Sequence, residues 1–286
     1  MYTLPGKVNP RRTMSSVWTT LILLFCMMPF SRLNAQTEPV LQVFASIPPQ
    51  MFLLDQIGKD RITVRVLLQP GHSPETFDPS PRLIAGLSDA DMYFCIGVPF
   101  ESRWMKVISS RNARLQLVNC QPETDDGDPH TWTDPVLVLA IAEEIMLALQ
   151  QRDPGNAMYY KANYSELQHK LVQLDAEIRD LFSNRQRDHF IVTHDSWAYF
   201  ANRYGLVQLS LESFGRQKGP RGLSELVDLA RTKDINTIFI QPQHPAATTD
   251  MLARELDAKL VVIDPLDGNY LDNMHTVSRR IAESLR

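Results

Sequence analysis

The chain is poor in cysteine, has no apolar run of convincing membrane-spanning length, and carries no excess of positive charge. Of its three cysteines, Cys26 lies in an N-terminal apolar run, leaving Cys95 and Cys120 for the rest of the chain. Their separation is far from the short spacing of a zinc knuckle, so they are not read as metal ligands. Each closes a strand-like run, and two readings stand open: a disulfide in an exported protein, or two buried thiols. Val17 to Phe30 is too short for a confident span. A His-Glu-x-x-His helix is lacking, as is a serine or cysteine in a nucleophile-elbow context, which removes the commonest signatures of zinc and nucleophilic hydrolases. Acidic residues outnumber basic ones, 33 to 29.

The N-terminus has an address-like composition. Lys7, Arg11 and Arg12 precede the apolar run, and Leu33-Asn34-Ala35 ends in a small residue suited to cleavage. Residues 1–35 are therefore expected to be a secretory signal peptide. They hold four basic residues and no acidic ones, so removing them leaves 25 basic against 33 acidic, a formal charge of −8. Such a surface does not suit nucleic acid or anionic lipid. It does suit a cation.

Beyond the leader, strand-like and helical patterns alternate. Val40–Ser46, Arg61–Leu68, Met92–Ile96 and Arg114–Asn119 read as strands, with helices at Gln50–Ile57, after Ser80-Pro81, and at Glu101–Ser109. Four prolines and a glycine keep 69–81 a loop. Asp134-Pro135 and Asp153-Pro154 each supply a cap and a first-turn proline for helices reaching about Gln151 and Ser183. The second of these carries Tyr160, Tyr164, Leu167, Leu171, Leu174, Ile178 and Leu181 at alternating spacings of four and three, one apolar seam over roughly 30 residues or about 45 Å. Strands at His189–Thr193, Leu206–Leu211, Thr237–Ile240 and Leu260–Ile263 then alternate with helices to the C-terminus. The expected class is α/β: two lobes, each a small parallel sheet flanked by helices, joined by one long rigid helix. The expected boundaries are 36–152, 153–184 for the linking helix, and 185–286.

Ligands of open parallel sheets bind beyond the carboxyl ends of the strands. Glu75, with His72 nearby, follows the second strand, and His130 the fourth. His194 follows the strand at His189, and Asp264 the last. Two imidazoles and two carboxylates, two from each lobe, would close around a borderline divalent ion such as Zn²⁺ or Mn²⁺. Each has a plainer role available: Asp264-Pro265 as a turn cap, Glu75 as a solvated side chain, His194-Asp195 as a catalytic pair. His169, His189 and His275 are read as structural or surface residues, and His244 as part of a mobile loop near the cleft.

The order and wording of these motifs resemble the periplasmic zinc- and manganese-binding proteins of ABC importers, the ZnuA/TroA-like group. The resemblance rests on residues 70–81, on Asp128-Pro129-His130-Thr131-Trp132-Thr133-Asp134-Pro135, on 153–157, on Thr193-His194-Asp195-Ser196-Trp197 and on 204–206. It continues through Ile238–Gln243 and Val262-Ile263-Asp264-Pro265-Leu266. It implies His130, His194 and Asp264 as direct ligands, and delivery of the ion to a membrane permease by a monomeric extracytoplasmic protein. At the fourth ligand position the family usually has histidine where this chain has Glu75, so either Glu75 or His72 completes the set. Gln241 stands where a glutamate is common, and a His-rich loop before Asp128 is missing. A carboxylate in place of an imidazole moves a site toward harder ions, while the Irving–Williams order still favours zinc. The readings from other classes are an exported metal-dependent hydrolase and a metal-free interaction protein on the same scaffold.

Overall fold

Proline and short polar caps start most of the helices in this fold, and β-branched and aromatic runs make its strands. The computed structural model describes residues 1–4, 6, 40–124, 127–213, 216–243 and 247–286. The leader's basic and apolar regions and His244 lie outside them. In chain order the first half gives β1 (Leu41–Ala45), α1 (Pro48–Gly58), β2 (Ile62–Val66), α2 (Pro81–Ala85), β3 (Met92–Cys95), α3 (Pro99–Arg111), β4 (Gln116–Asn119) and α4 (Pro135–Arg152). Each of these four helices has proline at its first position, where the missing N–H has no intrahelical partner to lose. Asp134 caps α4 by accepting a bond from the Val136 amide at 2.8 Å.

The linking helix is α5 (Ala157–Leu181), 25 residues long, or about 37 Å. It is shorter than expected because Pro154–Asn156 forms a separate 3₁₀ turn and the helix stops at Leu181. Tyr160, Tyr164, Leu167, Leu171, Leu174 and Ile178 of the seam are buried, the aliphatic ones each worth about 1.5–3 kcal/mol. Leu181 is only half-buried, and Phe182 fills the core in its place. The helix packs on α1 and α4 and, after them, on the final helix of the chain.

The second half gives β5 (His189–His194), α6 (Ala198–Tyr204), β6 (Val207–Ser213), β7 (Arg216–Gln217), α7 (Pro220–Thr232), β8 (Thr237–Ile240), α8 (Ala247–Leu256), β9 (Lys259–Val262) and α9 (Tyr270–Ser284). Gly205, at φ +65°, ends α6 in the left-handed conformation that costs glycine least. None of the described helices is long and apolar enough to cross a membrane.

The first sheet runs β2-β1-β3-β4, all parallel, with Val43 opposite Val64 and Met92. The second repeats that order as β6-β5-β8-β9, again parallel, and adds β7 antiparallel at the β6 edge. The two-residue β7 was not among the expected strands. Along β5 the faces alternate with the period of a strand: Phe190 and Val192 enter the main core, while Ile191 enters a smaller one with Leu211, Leu226 and Leu252. In each sheet the strand order reverses once, between β1 and β3 and between β5 and β8. Cys95 and Cys120 are buried free thiols. The amide of Cys120 donates to the Cys95 carbonyl at 2.9 Å, and burial pushes the Cys95 thiol well up.

Candidate metal centre

Three segments far apart in sequence bring Glu75, His130 and His194 together, with one ligand atom from each lying within 4.8 Å of the others. Each is placed by its own local structure. His194 is the last residue of β5 rather than the first after it, and is 3% exposed. Its Nε2 meets Glu75 Oε1 at 2.8 Å, and its Nδ1 lies 3.6 Å from Asp195 Oδ1. Burial disfavours the imidazolium. The bond from Glu75 and the negative charges of Glu75, Asp195 and Glu212 outweigh it, leaving the His194 pKa above the ordinary imidazole value.

His130 directly precedes a single 3₁₀ turn at Thr131–Thr133 that leads into α4. Asp128 folds back on it twice: its Oδ1 accepts from the His130 amide at 3.0 Å and lies 2.6 Å from Nδ1. With the Nδ1 proton held by a carboxylate, Nε2 is the nitrogen left to bind a metal. The His130 and His194 rings stand edge to face, 5.4 Å between centroids. Glu75 lies on the proline-rich loop after β2, and Arg103 of α3 grips that loop, donating to the carbonyls of Glu75 at 3.0 Å and Phe77 at 2.9 Å.

The remaining two candidates lie apart from this trio. His72 is exposed, its Nδ1 3.4 Å from the Pro70 carbonyl and its ring against Phe77. Asp264 follows β9, and its Oδ1 accepts from the Gln243 side-chain amide at 2.8 Å and from the Leu266 amide at 2.9 Å. Burial raises the Asp264 pKa, an effect those two bonds oppose. Both residues line a cavity of about 370 Å³ with Gln243, Met51, Gln69 and Leu266.

Several supporting residues are absent from the sequence-based ligand set. Asp128 had a readable signal, an acidic residue two positions before a loop histidine, which is the spacing of an Asx turn. Arg103 had none, because its partners are distant in sequence, and Gln243 stood only within the Ile238–Gln243 motif, with no role marked for it. Gln241, noted only as a departure, is 3% exposed and buttresses the end of β5: its amide donates to Thr193 Oγ1 and its Nε2 to the His194 carbonyl, each at 3.3 Å. A glutamate carboxylate could accept there but not donate. Chemically, two imidazoles and a carboxylate within a few ångströms, in an acidic protein, are a donor set that could hold a divalent cation.

Comparison with known proteins agrees with that chemistry. A family described as ZnuA, zinc-uptake complex component A, periplasmic, matches residues 43–284. The high-affinity zinc uptake system protein ZnuA of Bacillus subtilis is 27% identical over 252 residues, covering 80% of this chain and 79% of that protein. The manganese-binding lipoprotein MntA of Halalkalibacterium halodurans is 25% identical over 201 residues, 66% of this chain and 67% of the relative. Among solved structures, a zinc-bound deletion mutant of ZnuA is 32% identical with a TM-score of 0.83, covering 86% of this chain and 98% of the other.

Proposed function

The chain belongs to the ZnuA family and is a metal-binding solute-binding protein of a metal-uptake system, and from that premise we propose how it works. It captures one Zn²⁺ or Mn²⁺ ion with Glu75, His130, His194 and Asp264 and delivers it to the membrane permease of an ABC importer. The observation that carries this reading is the approach of Glu75, His130 and His194, from three separated loops and strand ends, to within 4.8 Å of one another. Glu75, rather than His72, supplies the donor of the 69–81 loop, since its carboxylate is the one beside His194. Asp264 completes the set by turning from Gln243 toward the ion.

Four protein donors leave no open position for water or substrate, so the site binds and does not catalyse. The two carboxylates widen its range toward manganese, whereas zinc wins wherever both ions are free. Residues 1–35 direct export and are removed, 36–152 and 185–286 form the two lobes about the helix at 153–184, and the mature protein works as an extracytoplasmic monomer. Elemental analysis and calorimetry test the proposal. Near one ion per chain is expected, and His130→Ala or His194→Ala should weaken zinc binding by about tenfold or more. Unchanged binding in both variants refutes the site.

A further inference from the structure

By chain order the segment carrying His130 belongs to the first sheet, yet its side chains fasten it to elements of the second. Trp132, 2% exposed, donates its indole Nε1–H to the carbonyl of Pro265 at 2.8 Å, one residue from Asp264. Asp134, 3% exposed, holds the Arg203 guanidinium through Nε at 2.9 Å and Nη2 at 2.8 Å while also capping α4. Tyr199 Oη donates to the Asp128 carbonyl at 3.1 Å. Tyr199 and Arg203 lie on α6, which begins four residues after His194. The first contact ends one residue from Asp264, and the other two end on the helix that follows His194.

We infer that Arg203 and Trp132 are positioning residues for metal capture, fixing the distance from His130 to the second-sheet donors His194 and Asp264. The inference rests on the reading that these residues take up the ion. Zinc–nitrogen bonds of about 2.0–2.1 Å at a tetrahedral angle set two ligand nitrogens roughly 3.4 Å apart, so an ångström of drift in one loop forfeits a ligand. The stretch from Asp128 to Asp134 cannot hold that tolerance itself, since its only regular structure is one 3₁₀ turn. Its position comes from outside. A guanidinium fork suits that task because it meets a carboxylate with two donors in a fixed plane, which an ammonium cannot reproduce. Asp134 links this fastening to the start of α4, so the helix end, the histidine loop and α6 form one braced unit.

Zinc titration calorimetry on the mature chain at 10 °C, with visible absorption of the Co²⁺ form, tests the inference on Arg203→Ala, Arg203→Lys and Trp132→Phe beside wild type and His130→Ala. The expected result is folded variants whose zinc affinity falls about tenfold or more, with a weakened or shifted Co²⁺ spectrum. Arg203→Lys should lie between Arg203→Ala and wild type. Should Arg203→Ala fail to fold, Arg203→Lys and Trp132→Phe decide the matter. Variants that merely melt earlier, yet bind zinc with wild-type affinity and give the wild-type Co²⁺ spectrum, overturn it. Wild type that binds no zinc, or His130→Ala that binds as wild type does, would instead remove the metal reading on which it rests.

Discussion

Asp128 illustrates how much of this site depends on single polar atoms. Its carboxylate fixes the ring and the tautomer of His130, so Asp128→Asn should lower zinc affinity about 10–100-fold with the fold intact, as read by calorimetry and circular dichroism. As a proposed ligand, His194 is expected to set the pH response. Because its pKa is raised by Glu75 and neighbouring acidic groups, the proton competes with the metal from a pH above the ordinary imidazole value of about 6.5 downward. Zinc affinity should be full above that raised pKa and fall as pH drops through it. NMR titration of the metal-free protein should place the His194 midpoint above about 6.5, and in Glu75→Gln below its wild-type position, because burial then acts with less opposition. At this scale the sequence was legible where a signal is local. His130 and His194 stood next to helix caps and strand ends, and Glu75 took the place of the family's usual histidine. Arg103, Gln243 and Arg203 act across 20 or more positions, and nothing in a single sequence marks such partners.

Among elements, α5 ties the two sheets together. Its seam buries Leu171 completely, and Leu171→Ala should cost about 2–5 kcal/mol in denaturant unfolding through the cavity it leaves. Because Leu171 is remote in sequence from every proposed ligand, zinc affinity of the folded fraction should stay near wild type. A large affinity loss in that variant would show that the helix transmits strain to the cleft. The seam could be read in advance because seven apolar positions repeat at helical spacing. Its limits could not, since Asp153-Pro154 starts a 3₁₀ turn as readily as a helix. The strands were equally plain from their apolar runs. The exception is β7, two residues held only by antiparallel pairing to β6, too short to carry a period of its own.

For the whole molecule, the ion is expected to act as a fastener between lobes. A ligand bound by the native state alone stabilises it by mass action, about 2.7 kcal/mol when free ligand is 100 times Kd. Zinc at that excess should raise the melting temperature, and a chelator should return it to the metal-free value. Identical melting with and without zinc would contradict capture by groups from both sheets. The strand order repeats in the two sheets, 2-1-3-4 and 6-5-8-9, and the proposed donors of both halves stand at or just beyond the carboxyl ends of their strands, where ligands of parallel sheets bind.

One of the imidazoles described above packs against an indole, and another is followed closely in sequence by a buried one. Trp132 stacks obliquely beside His130 at 5.2 Å between centroids, and Trp197, wholly shielded from water, lies three residues past His194. A cation bound by His130 is expected to change the electric field felt by Trp132. On that expectation the unlabelled protein would carry an optical gauge of its own occupancy, and its intrinsic ultraviolet emission should follow loading and unloading in real time.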